Sequence, residues 1–381
     1  MQFKTRMIPL AGLIALALAG SAFAQEQIIK IGSVAPITGT DAHMGKDNEN
    51  GARMAVEELN AKGTTIAGKK VKFQLQAEDD AADPKQATAA AQKLVDDKVA
   101  VVIGHLNSGT TIPASRIYSN AGIPQISPSA TNPKYTQQGF KTAFRVVAND
   151  AQLGKVLGQY AVKTLGGKSI AVIDDRTAYG QGVADEFAKG VKAAGGTIVA
   201  SQYTNNKATD FNAILTSIKS KKPDIIFFGG MDAVGGPMMR QMKQLGIAAK
   251  FMGGDGICTG SLPGLAGDAL GDNQVICAEA GGVPEARRKG VEDFRAAYKK
   301  RCAVDGVYTA AYAYDATFAA VEAMKKAGSA EPAKFLPELV KSNYPGITGT
   351  IAFDAKGDIK DGTLTLYTFK GGKRELLTVT K

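Results

Sequence analysis

Short apolar runs alternate with amphipathic stretches along this chain, and the alternation runs through twice. In the first series, residues 28–35 read as a strand, and 50–61 as a helix with Ala52, Ala55, Val56 and Leu59 on one face. Residues 71–77 form the next strand. Asp83 can cap a helix over 83–96, Pro84 suits its first position, and Ala87, Ala91, Leu94 and Val95 line one face. Residues 99–104 are continuously apolar, as a parallel strand covered on both faces requires. A helix over 112–120 and a strand over 124–127 follow. The second series starts near residue 150, with helices over 151–164, 180–194, 211–220 and 235–245. Strands over 169–174, 197–203, 224–229 and 250–253 alternate with them. Two successive βα series predict two α/β lobes with doubly wound, largely parallel sheets. The C-terminal part reads as helices over 285–302, 308–327 and 332–341, then antiparallel-type strands over 351–354 and 363–369. These are too few for a third domain. They are expected to complete the first two, so that the chain crosses between lobes more than once, as a hinge requires.

The N-terminus sets the compartment. Lys4 and Arg6 precede an apolar run over 7–20, and small Ala22 and Ala24 close it in the order of a secretory signal peptide. The run is shorter than the ~20 residues that span a bilayer. Cleavage after Ala24 would make Gln25 the first residue of an exported, periplasmic chain. Two of the 46 basic residues lie in this leader, leaving 44 against 36 acids, spread thinly. With no Trp and no basic run interleaved with aromatics, nucleic acid is not expected as a partner. Cys258 and Cys277 bracket a Gly/Asp-rich loop, and in an oxidising compartment they are a candidate disulfide, with Cys302 left as a free thiol.

Signatures of catalysis are weak. Gly166-Gly167-Lys168-Ser169 imitates the end of a phosphate-binding loop but precedes a strand instead of following one. There is no dinucleotide glycine spacing and no G-x-S-x-G elbow. His43 and His105 read as loop histidines with structural hydrogen bonds. The three Cys and two His have no metal-site spacing, so neither metal nor cofactor is expected.

In open α/β sheets, ligands bind where strands end and helices begin. Gly104-His105-Leu106-Asn107-Ser108-Gly109 and Ser127-Pro128-Ser129-Ala130-Thr131 are two such junctions, with hydroxyls and backbone N–H groups suited to a carboxylate. Gly253-Gly254-Asp255-Gly256 is a third, with one carboxylate for an ammonium group. Each taken alone is also an ordinary helix cap or turn. Opposed across a cleft, they would hold both ends of a zwitterion.

At these junctions the sequence resembles the leucine/isoleucine/valine-binding proteins of bacterial ABC importers. The resemblance is carried by Asp79-Asp80-Ala81-Ala82-Asp83-Pro84-Lys85-Gln86-Ala87, Val102-Ile103-Gly104-His105-Leu106, Ile126-Ser127-Pro128-Ser129-Ala130-Thr131, Tyr179-Gly180-Gln181-Gly182 and Phe251-Met252-Gly253-Gly254-Asp255-Gly256. It implies the type I periplasmic binding protein fold with a three-segment hinge. The implied lobe assignment is 25–147 and 278–354 for the first lobe, and 148–277 and 355–381 for the second. It implies hydroxyls from Ser108 and Thr131 on a ligand carboxylate, the Ser129 backbone and Asp255 on its ammonium, and Leu106 and Tyr179 as walls. Asn107, Ala130 and Tyr308 join the candidate site. Met44 and Met231 stand where relatives often carry aromatics, and Ala82 and Asn107 where many carry a cysteine pair. The function implied is not enzymatic: a monomer closes on an amino acid, of branched-chain or aliphatic type, and delivers it to a membrane permease. The alternative is the same fold with an amide, urea or aromatic acid, for which Asp255 would be a misfit.

Overall fold

The computed structural model describes residues 26–380 apart from Pro284, Asp305 and Val307. The leader over 1–24 and its cleavage point lie outside the described residues. Two sheets form two lobes. The first runs in the order Thr65–Ile66, Lys69–Asp79, Gln27–Ala35, Val101–Gly104, Gln125–Ser127 and Ala143–Arg145, parallel except for the two-residue edge. The second runs Lys373–Thr380, Leu364–Lys370, Val275–Glu279, Lys250–Gly253, Ile225–Gly229, Ser169–Asp174 and Thr197–Tyr203. Its first two strands are antiparallel and the rest parallel. Val101–Gly104 and Ile225–Gly229 are buried at every position, as their unbroken apolar sequences demand.

Helix Pro84–Asp96 begins as the sequence indicates: the Asp83 carboxylate accepts from the N–H groups of Lys85 and Gln86, with Pro84 in the first turn. Helix Ala42–Ala61 starts well before residue 50. Its first half is too polar to show an apolar stripe, because it packs through polar contacts. The Asp47 carboxylate accepts from the Ala310 N–H at 3.0 Å and the Thr309 hydroxyl at 3.2 Å, both at the start of helix Thr309–Ala327. Strand Lys373–Thr380 was not expected either. It is an edge strand with most residues exposed, and its mixed charges give no alternation.

The C-terminal elements divide between the lobes. Helix Thr309–Ala327 packs beside Ala42–Ala61, whereas Leu364–Lys370 and Lys373–Thr380 extend the second sheet. The chain crosses near 147–148, 280–282 and 362–363. There the Ala148 N–H donates to the Ala280 carbonyl at 3.0 Å, and the Thr365 hydroxyl to the Gly281 carbonyl at 2.8 Å. Residues 355–361 stay with the first lobe rather than the second. Phe353 pairs with Ile359, and the Arg145 N–H donates to the Gly357 carbonyl at 2.9 Å. Cys258 and Cys277 are joined by a disulfide, and Cys302 is a half-buried thiol.

One buried cation fixes this geometry. Arg145 is fully buried. Its Nε donates to Asp358 Oδ1 at 2.9 Å, and its Nη1 to the carbonyls of Ala130 and Asn132 at 3.0 and 2.9 Å. The guanidinium thus ties the 354–358 turn to the loop after strand Gln125–Ser127. Removing one partner of a buried pair leaves the other charge uncompensated. Asp358→Ala is therefore expected to lower stability by about 3 kcal/mol in urea denaturation; an unchanged midpoint would refute this role.

Candidate functional site

Strand ends from both lobes converge on one small cleft, partly open to solvent. In the first lobe, strand Val101–Gly104 ends in a turn that only glycine can start. Gly104 has φ +137°, and a Cβ there would lie 2.3 Å from the Val34 carbonyl oxygen. His105 is buried behind this turn. Its Nδ1 is 2.8 Å from Asp80 Oδ2 and its Nε2 3.0 Å from the Tyr118 hydroxyl, so it is a structural residue. The neighbouring loop is stitched to it. The Ser127 hydroxyl donates to the His105 carbonyl at 2.9 Å and accepts from the Ala130 N–H at 2.9 Å. The Ser129 hydroxyl donates to the Leu106 carbonyl at 3.3 Å and accepts from Asn48 at 3.0 Å. Ser108 opens helix Ser108–Asn120, whose N-cap, Asn107, makes no side-chain cap.

In the second lobe, the Thr177 hydroxyl caps helix Ala178–Ala193 and so sets Tyr179 at the cleft. The Tyr179 hydroxyl donates to Asp255 Oδ1 at 2.9 Å and accepts from the Gly256 N–H at 2.9 Å. The Tyr308 hydroxyl, from the first lobe, donates to Asp255 Oδ2 at 2.9 Å. One carboxylate is therefore held by two phenols from opposite lobes. Burial pushes the Asp255 carboxyl up to about 6, against the lowering effect of the two phenols. Burial, then the Asp255 charge, drives both phenols well above their ordinary values.

A second acid stands close by. Asp150, at the start of helix Asp150–Gln159, is fully buried with the Thr131 hydroxyl beside it. Burial, then the field of Asp255, pushes its carboxyl up to about 8, against the lowering effect of Thr131.

The other end of the cleft is apolar. Met44 and Leu106 pack with Ala35 from the first lobe and Met231 from the second. Of the residues singled out from sequence, Met44, Leu106, Asn107, Ser108, Ser129, Tyr179, Met231, Asp255 and Tyr308 line this cleft together. Ala130 and Thr131 lie behind the lining, the first with its carbonyl on Arg145. Gly256 of the third junction and Cys258 of the disulfide also line it, as do Thr259 and Thr309, which were not singled out. Asp150 was missed because an acid at a helix start reads as an ordinary partner of the helix dipole; only its burial sets it apart. His43, read as a loop residue, lies in the first turn of a helix and meets Asp232 across the cleft at 2.9 Å. Among the described residues, no group of three His, Cys, Asp or Glu could hold a metal, and no helix is long and apolar enough to cross a membrane.

Comparison with known proteins places this architecture. A family model described as periplasmic binding protein matches residues 28–373. The Leu/Ile/Val-binding protein homolog 1 of Brucella abortus is 36% identical over 372 residues, 97% of each chain. The leucine-, isoleucine-, valine-, threonine- and alanine-binding protein of Pseudomonas aeruginosa is 35% identical over 339 residues, 89% of each chain. A branched-chain amino acid transporter substrate-binding protein of Streptococcus pneumoniae, solved with isoleucine, superposes with TM-score 0.82 at 28% identity, covering 93% of this chain and 99% of that one.

The raised Asp255 carboxyl is directly measurable. In the ligand-free protein its carboxyl carbon is expected to titrate near 6 by NMR; a midpoint near the ordinary ~4 for Asp would contradict the desolvated environment described here.

Proposed function

The chain belongs to the periplasmic binding protein family, and from that premise we propose that it closes on a free amino acid and delivers it to an ABC importer. Residues 1–24 direct it to the periplasm and are removed, and it acts there as a monomer. The single observation that carries the reading is Asp255, the one acid among the described residues of the cleft lining, held between two tyrosines from opposite lobes.

The ligand ammonium sits between Asp255 and the Ser129 carbonyl, and its charge favours the ionised form of Asp255. The carboxylate lies at the Ser108 hydroxyl and the uncapped start of helix Ser108–Asn120, where the helix dipole and free N–H groups favour an anion. The side chain points to Met44, Leu106 and Met231. Thioethers are flexible and fill irregular space, so this wall suits several aliphatic side chains. The relatives named for leucine, isoleucine and valine support that class. Binding rather than turnover is the proposed role.

Calorimetry with a panel of amino acids and amides tests this. Leucine, isoleucine or valine should bind and their amides or deaminated acids should not. Asp255→Asn should weaken the best ligand by about 2–5 kcal/mol, because the ammonium then loses its charged partner in a dry site. Ser108→Ala should cost less, on the order of 1–2 kcal/mol. Undiminished binding by Asp255→Asn would place the ammonium elsewhere or indicate a ligand without one.

A further inference from the structure

The proposed site uses Asp255 at one end of the cleft. At the other end an imidazole meets a carboxylate in a contact that the ligand does not need. His43 lies in the first turn of helix Ala42–Ala61 in the first lobe. Its Nε2 is 2.9 Å from Oδ2 of Asp232, which begins helix Asp232–Gln244 in the second lobe. Asp232 is fully buried, whereas the His43 side chain is 31% exposed. The same carboxylate oxygen accepts from the Thr259 hydroxyl, and the other has no partner. Met44 and Met231, which wall the ligand cavity from opposite lobes, are the immediate chain neighbours of His43 and Asp232. The contact therefore joins the two lobes directly outside the apolar end of the cleft.

We infer that His43 is a positioning residue for lobe closure: its protonated imidazole pairs with Asp232 across the cleft and holds the methionine wall shut over the ligand side chain. This rests on the proposed reading that the lobes close on an amino acid.

The physical case is one of unequal burial. Asp232 keeps its place whether or not the lobes meet, held by Thr259 and by the positive end of its own helix. Closing the cleft adds the histidine, and a charge-assisted hydrogen bond is stronger than a neutral one. The ionisable groups whose fields reach His43 are Asp232 and Asp41, both of which favour its charged form. Asp41, before the same helix, is itself raised by burial and next to Asn107. Asp175, in the second lobe, lies close enough to Asp41 to feel its charge. The hydrogen bond that His43 donates to Asp232 raises the His43 pKa above its ordinary value, against the lowering effect of burial. The closed form thus binds the His43 proton more tightly than the open form. Closure gains from this pair below the ordinary imidazole value of about 6.5, and loses the gain as pH rises through the higher closed-form value. Protonation of Asp255 acts on the acid side with the opposite sense, so the two are separable.

The test is leucine affinity from pH 5 to 9 by calorimetry, for the parent and for His43→Gln. Parent affinity should fall on the order of tenfold on the alkaline side. His43→Gln should be weak and flat there, yet keep the fall on the acid side that Asp255 causes. An alkaline fall in His43→Gln equal to the parent's would overturn the inference. A second arm titrates the His43 imidazole by NMR in the parent and in Asp232→Asn, each without and with the best ligand of the calorimetric panel at saturation, whatever its chemistry. A midpoint in the parent that rises on ligand binding and does not rise in Asp232→Asn supports the pairing, even if that ligand is not an amino acid and the functional reading itself fails. Equal midpoints in the two ligand-saturated proteins would overturn it.

Discussion

A carboxylate placed between two lobes must be desolvated whenever the lobes meet, and the rest of this structure is arranged around that cost. Asp255 sits at a strand end in the second lobe, and its two oxygens are taken by phenols from Tyr179 and Tyr308. Because Tyr308 belongs to the first lobe, the carboxylate is a contact between lobes. Two neutral donors offset part of the desolvation, which is why the group remains above the usual carboxylate range. What they cannot supply is a positive charge. On the proposed reading, a ligand ammonium in the cleft supplies it.

The scaffold serves this one spot. The Asp255 turn is tethered by the Cys258–Cys277 disulfide to the strand that leads into the hinge. The opposing loops are fixed by the buried Arg145, whose guanidinium holds the carbonyls of Ala130 and Asn132, and by Ser127, whose hydroxyl bridges to His105. These are rigid supports on either side of three crossing segments. On the proposed reading, closure would bring the two halves of the site together as preformed surfaces.

Much of this was legible in the sequence because its signals are local. The apolar run at Val101–Gly104, the Asp83 cap with Pro84, and the small polar residues at strand ends each state a geometry within a few residues. The signals that failed are long-range. The first half of helix Ala42–Ala61 is polar because its partner is a helix more than two hundred residues away, reached through Asp47. Asp150 looks like an ordinary helix-start acid until the fold buries it. His43 gives no sign of its role, since its partner Asp232 lies 189 residues distant. Residues 355–361, expected in the second lobe, are held on the first by contacts distant in sequence, chiefly Arg145 on Asp358.

The central claim is that Asp255 receives a ligand ammonium, and a crystal structure with bound leucine tests it most directly. The account predicts the α-nitrogen within about 3 Å of an Asp255 oxygen, with the Ser129 carbonyl as a further acceptor and the isobutyl group against Met44 and Met231. A ligand carboxylate facing Asp255, or a nitrogen held only at Ser108 and Ser129, would contradict it.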